Sequence, residues 1–112
     1  MNDRINWENQ LQNELHQADT ARAAGNEGMA RVCARRAAGI IIGEFFRRRG
    51  GIQPGPSAYD RLKFLRQQSE ISQKVRQVAE HFLVRITPEY ELPVEADLIA
   101  EARWMQSELL DR

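Results

Sequence analysis

Between Asn26 and Gly51 the chain reads NEGMARVCARRAAGIIIGEFFRRRGG, apolar nearly all the way round a helix, with small residues in rows and three arginines at its end. A helix without a polar face cannot lie on a surface, so this one must run through the middle of the fold with other helices packed around it. Met29, Val32, Cys33, Ala37, Ile40, Ile41, Phe45 and Phe46 supply its bulk. Ala30, Ala34 and Ala38 form a second row with Gly39 and Gly43 beside it. Each interior glycine costs about 1 kcal/mol against alanine. The expected compensation is close approach of another helix over that row.

The remaining elements follow from period and punctuation. Trp7, Leu11, Leu15 and Ala18 recur at helical steps and predict a first helix over about Asn6 to Ala24, closed by Gly25 and Asn26. GGIQPGPS, Gly50 to Ser57, is the strongest loop signal in the chain. Ser57 and Asp60 have the spacing of a helix cap, which predicts a short helix carrying Tyr59, Leu62 and Leu65. After a break near Gln68 to Ser72, the run Ile71, Val75, Val78, Phe82 and Ile86 predicts an amphipathic helix reaching about Arg85, stopped by Thr87 and Pro88. Pro93 suits the first turn of a last helix, with Glu95 and Asp97 at its positive end and Leu98, Ala102, Met105 and Leu109 as its stripe.

No segment alternates with period two, and the loops are short enough to join antiparallel neighbours. The expected fold class is therefore all-α: an antiparallel up-and-down bundle of four long helices plus one short helix between the second and third. At 112 residues the chain fits a single domain, 1–112, able to bury roughly two-thirds of its unfolded surface. The lone Cys33 lies in the apolar helix, excludes a disulfide framework and reads as a small core residue. The N-terminus shows no secretory pattern, and no apolar run approaches the roughly 20 residues of a membrane helix, so a cytoplasmic protein with no membrane contact is expected.

Sixteen basic and sixteen acidic side chains cancel, which argues against a protein that coats nucleic acid through bulk charge. Fourteen of the basic residues are arginine, whose planar fork suits carboxylate or phosphate. Arg47, Arg48 and Arg49 fall in the last turn of the apolar helix and read first as cations at its negative end, with phosphate contact as the alternative. Arg31, Arg35 and Arg36 mark either its solvated edge or a subunit interface or anionic groove. Trp7, Trp104, Tyr59 and Tyr90 are scattered, and core and rim packing explains them as well as base stacking does.

Several chemistries lack their residues. There is no P-loop, and the glycines of GIIIG lie mid-helix, where their N–H groups are already engaged. Neither His16 nor His81 has Glu three residues earlier, as a di-iron bundle requires, and zinc or haem sites lack cysteines and histidines. No metal or cofactor is expected. What remains is Arg76-Gln77-Val78-Ala79-Glu80-His81. An imidazole that moves a proton near neutral pH and a guanidinium that steadies charge on phosphorus can cleave RNA without metal, the RNA supplying its 2′-hydroxyl. On one helix the two are turned by about 140°, so a symmetry mate would be needed to join them. In the simpler reading, His81 borders the core and Arg76 pairs with Glu80 across one turn.

On these residues the chain resembles the HEPN domain, a helical family found beside prokaryotic nucleotidyltransferases, in toxin–antitoxin pairs and in RNA-cleaving defence proteins. ARAAGNEGMARVCARRAAGIIIGEFF is similar to the family's glycine-containing turn and Ala-rich helix, and DLIAEARWMQSEL to its closing helix. Catalytic members carry Arg, four to six residues, then His, usually with a polar residue after the Arg. Gln77 fills that place where Asn, Asp or His is more usual, and Leu83 stands where many active members have Tyr. The resemblance implies a helical bundle and a homodimer with a composite site at its interface. Two functions stand open. The preferred one is a non-catalytic dimeric module binding a nucleotidyltransferase-type partner or a nucleotide through its arginine faces. The alternative is a metal-independent, toxin-like RNA endonuclease using Arg76 and His81.

Overall fold

The computed structural model describes residues 3–51, 54–84 and 96–111. They form five helices and no strand: α1 (Asp3–Ala23), α2 (Glu27–Arg49), α3 (Ala58–Arg66), α4 (Gln73–Leu83) and α5 (Leu98–Leu110). Two are long, at 21 and 23 residues, and the others have 9, 11 and 13. The chain is all-α, as its period predicts. No helix among the described residues is long and apolar enough to cross a membrane.

The helix ends are set by side chains that accept otherwise unpaired backbone N–H groups. Asn26 accepts from the Met29 N–H, Ser57 from Asp60, Ser72 from Val75 and Asp97 from Ala100. Gly25 and Gly50 close α1 and α2 with positive φ, 79° and 71°, a conformation that glycine adopts without strain. The Ser57 cap and the Gly25–Asn26 turn lie where the sequence places them. The last helix begins later than expected, because Ala96 and Asp97 are not helical and the Asp97 carboxylate is the cap itself. Ile71 precedes the cap of α4 and packs half-buried against the core from outside that helix. Ile86, Thr87, Pro88, Tyr90, Pro93 and Glu95 lie outside the described residues.

Helix α2 touches α1, α3 and α5 and is buried on most of its circumference. Leu11, Leu15 and Ala18 of α1 meet it across the Gly25 turn, while Ala102 and Met105 of α5 complete the same core. Contacts at the ends give the directions. Trp7 of α1 lies under Arg48 of α2, so that pair is antiparallel. Arg48 also reaches the last carbonyl of α5, while Arg22, which pairs with Glu27 at the start of α2, holds Asp97 at the start of α5; α2 and α5 therefore run the same way. Helix α4 lies antiparallel to α5, with Lys74 over Trp104 and His81 against Glu101.

The two glycines beside the small-residue row are explained by α3. A Cβ placed on Gly39 would stand 2.8 Å from Ala58 Cβ and 3.0 Å from Ala58 Cα, and one on Gly43 would enter the Arg61 guanidinium. Arg61 donates to the Gly39 carbonyl at 2.9 Å and to the Gly55 carbonyl at 3.1 Å, tying helix and loop to α2 together. Further on, the Phe64 ring packs edge-on to Phe46, centroids 4.9 Å apart. Met29 and Val32 depart from expectation: 46% and 43% exposed, they lie on a face of the first turns of α2 that no described helix covers.

Gly39→Ala should lower stability by about 1–3 kcal/mol, because overpacking against Ala58 outweighs the gain in helix propensity. At Gly28, where an added Cβ would meet only Asn26 Oδ1 at 3.8 Å, the same change should raise stability by up to about 1 kcal/mol. Urea denaturation of the two variants measures both signs.

Candidate functional site

Arg76 and His81 sit on α4 but serve different neighbours. Helix α3 ends at Arg66, and its last carbonyls need donors. Arg76 supplies them: Nε donates to the Arg66 carbonyl at 3.1 Å and one terminal nitrogen to the Gln68 carbonyl at 2.9 Å, while the other donates to Gln73 Oε1 at 2.9 Å. The expected pair with Glu80 is replaced by this cap, and Glu80 is exposed. His81, more than a turn further on, faces α5 instead. Its Nδ1 lies 2.8 and 3.1 Å from the two oxygens of Glu101, with the imidazole half-buried. The chain thus does not bring Arg76 and His81 together, in keeping with their angular separation on one helix. Gln77 is exposed between them, and Leu83 is half-buried against the core.

The arginines at the end of α2 are engaged by a carboxylate that the sequence reading passed over. Glu44 is 4% exposed and is the one buried charged residue among those described. Arg47 grips it with two hydrogen bonds of 2.7 Å, and Arg48 adds one of 2.8 Å. Their positions three and four residues after Glu44 were the available signal. Arg48 also donates to the Leu110 carbonyl at 2.8 Å, so it caps α5, whereas α2 is closed by Gly50. Arg49 pairs with Glu70 at 2.8 Å. Arg47 and Arg48 thus lie in the last turn of α2, as expected, and there hold a buried carboxylate, with Arg48 also joining α2 to α5.

Arg31 and Arg35 lie one turn apart on α2, half-buried, with Arg36 exposed beside them. The three line a cavity of about 230 Å³ whose other wall is Val32, Val84 and Leu98. Among the described residues none of the three has a carboxylate within ion-pair distance. Glu27 and Asp97, at the same helix ends, are both bound by Arg22, at 2.8 and 2.9 Å, and Glu14 lines a second cavity together with Arg36. Cys33, on the next face of α2, is fully buried, and burial, reinforced by Glu14, pushes its thiol above the ordinary value. It is a core residue and not a nucleophile. No group of three or more His, Cys, Asp or Glu among the described residues could hold a metal ion.

Two measurements test these assignments. The Arg47 hydrogen bonds, helped by Arg48 and opposed by burial, hold the Glu44 carboxyl below its ordinary value of 4.5. Its contribution is then full above that pH and is lost as pH falls through the folded value, since the unfolded chain takes up the proton first. Glu44→Gln should cost about 1–3 kcal/mol at neutral pH, from hydrogen bonds to charged groups, with the gap to wild type closing under acid in urea titrations. Arg76→Ala and His81→Ala, which break contacts to different helices, should be additive in stability within about 0.5 kcal/mol; a larger coupling in the double variant would show that they act as a unit. Comparison with known protein families, with curated proteins and with solved structures finds no match to this chain.

Proposed function

We propose that the chain is a non-catalytic, HEPN-like dimeric module that works in the cytoplasm by binding a nucleotide or a nucleotidyltransferase-type partner. One observation carries this reading: the arginine that would steady charge on RNA is spent inside the fold. Arg76 gives all three of its guanidinium nitrogens to α3 and Gln73. A transition-state clamp needs donors aimed at the place where charge develops, and these are aimed at backbone carbonyls. The frame that goes with the reading is an up-and-down four-helix bundle of α1, α2, α4 and α5 with α3 as the short addition. The antiparallel pairs α1/α2 and α4/α5 support it.

The metal-independent RNA endonuclease stays as the second reading because of the contact between His81 and Glu101. A carboxylate at 2.8 Å from Nδ1 fixes the tautomer and orientation of an imidazole, which is what a general acid or base requires. In that reading the phosphate-stabilising arginine comes from the other subunit of the dimer.

Purified protein incubated with mixed cellular RNA in excess chelator is expected to leave the RNA intact and to sediment as a dimer. Cleavage that disappears in both Arg76→Ala and His81→Ala, with folding and sedimentation unchanged, would establish the endonuclease in its place.

A further inference from the structure

Helices α1 and α3 both pack on α2, and over Ile40 and Gly43 they leave between them a cavity of about 400 Å³, with Trp7 and Gln10 on one wall and Arg61 on the other. A volume of that order is typical of small-molecule sites, and so is a lining of apolar and aromatic side chains with a few polar groups. A smaller cavity of about 210 Å³ adjoins it, sharing Ile40 and Arg61 and adding Glu14 and Arg36. Among the described residues two buried side-chain atoms lack a hydrogen-bond partner, Trp7 Nε1 and Glu14 Oε2, and both belong to the α1 wall of these cavities. Buried polar groups in a folded chain are nearly all paired, so a shortfall gathered on one wall marks that wall out.

Arg61 supplies the charge. Its Nε donates to the Gly55 carbonyl and one terminal nitrogen to the Gly39 carbonyl, which leaves the second terminal nitrogen without an acceptor. Among the described residues no carboxylate lies within ion-pair distance of it. Burial pushes this guanidinium below its ordinary value, whereas Arg22 and Arg103, each held by carboxylates, are raised. The other charges on these walls have counterparts: Glu44 is bound by Arg47 and Arg48, and Glu14 shares the smaller cavity with Arg36. A phosphate monoester carries a charge of about −1.5 to −2 at pH 7, more than one guanidinium already serving two carbonyls can balance. A carboxylate brings a single charge and accepts from the free nitrogen. Beside it, Trp7 and Ile40 offer an aromatic and an aliphatic surface on which a flat apolar group can pack. We infer that the cavity between α1, α2 and α3 binds a small monocarboxylate with a flat apolar body, its carboxylate on the free edge of Arg61 and its body against Trp7 and Ile40. None of these residues takes part in the contacts of Arg76 or His81, so the site is independent of whether the chain cleaves RNA.

Benzoate, 3-phenylpropionate and 4-phenylbutyrate are the probes, titrated calorimetrically into the full chain, with 3-phenylpropionamide, acetate and phenyl phosphate as controls. At least one of the three acids is expected to bind saturably, with the amide, which lacks the charge, and acetate, which lacks the body, each at least about ten-fold weaker. Phenyl phosphate should also bind more weakly than that acid. Gln10→Glu changes an exposed residue of α1 to one of the same size and sets a carboxylate in the cavity with Arg61; it should weaken the acid about ten-fold with thermal unfolding unchanged. Arg61→Gln, which keeps a donor for one carbonyl and removes the charge, should weaken it at least as much, its folding checked in the same way. Arg31→Ala, in a separate cavity, should leave binding unchanged. Absence of saturable binding by all three acids, equal binding by the amide, or binding indifferent to Gln10→Glu overturns the inference. Tighter binding of phenyl phosphate overturns it too, since the cavity would then select a doubly charged group.

Discussion

Where α3 crosses α2, the crossing point can carry nothing larger than a methyl group on one helix and hydrogen on the other. Gly39 and Ala58 meet that requirement, and Arg61 then fixes the approach by donating to the Gly39 carbonyl from the neighbouring turn. Helices α3 and α4 take their place from this contact. The end of α3 presents its carbonyls to Arg76, which sets the start of α4, and the course of α4 brings His81 to Glu101 on α5. The orientation of the two residues with chemical potential is thus a consequence of how closely two helix backbones meet some distance away. A bulkier residue at 39 would move α4 and with it both side chains.

Charge is distributed by a similar logic of local satisfaction. The equal numbers of acids and bases suggest a chain of paired surface charges, and much of it behaves so: Arg103 with Asp19, Arg49 with Glu70, Arg22 with Glu27 and Asp97. Exposed pairs of this kind are worth little individually. Glu44 differs because its carboxylate is out of water, and two arginines with one further carbonyl contact make its burial tolerable. Among the described residues these acids are committed to other partners, and none lies within ion-pair distance of Arg31, Arg35 or Arg36.

Much of the fold was legible in the sequence because it is encoded locally. The stripe of α1, the turn at Gly25 and Asn26, the cap at Ser57 and the meaning of the Gly39–Gly43 row each depend on residues within a turn or two of one another. What was not legible depends on partners distant in sequence. The start of α5 is set by Asp97, which caps Ala100 and is at the same time held by Arg22, 75 residues away. Pro93 and Glu95 suggested an earlier start because nothing near them reports on Arg22. For the candidate site, spacing gave the 140° separation of Arg76 and His81 but not the carbonyls and carboxylate that claim them. The arginines at 31 and 35 could be named from sequence, yet only the positions of Val84 and Leu98 turn them into one wall of a cavity.

The parallel arrangement of α2 and α5 divides the molecule in a way the helix order conceals. Helices α1, α2 and α5 are fastened at both ends, by Arg22 with Asp97 at one and Arg48 with the Leu110 carbonyl at the other, and they share the core around Ala34 and Met105. Helices α3 and α4 are an excursion between two strongly joined elements, clipped on through the Gly39 crossing and the His81–Glu101 contact. Backbone amides in α3 and α4 can therefore open to solvent exchange together while the three-helix unit remains closed, as cooperative sub-domains of small proteins do. Motions of the segment carrying Arg76 and His81 are then separable from those of the start of α2, where Arg31 and Arg35 lie.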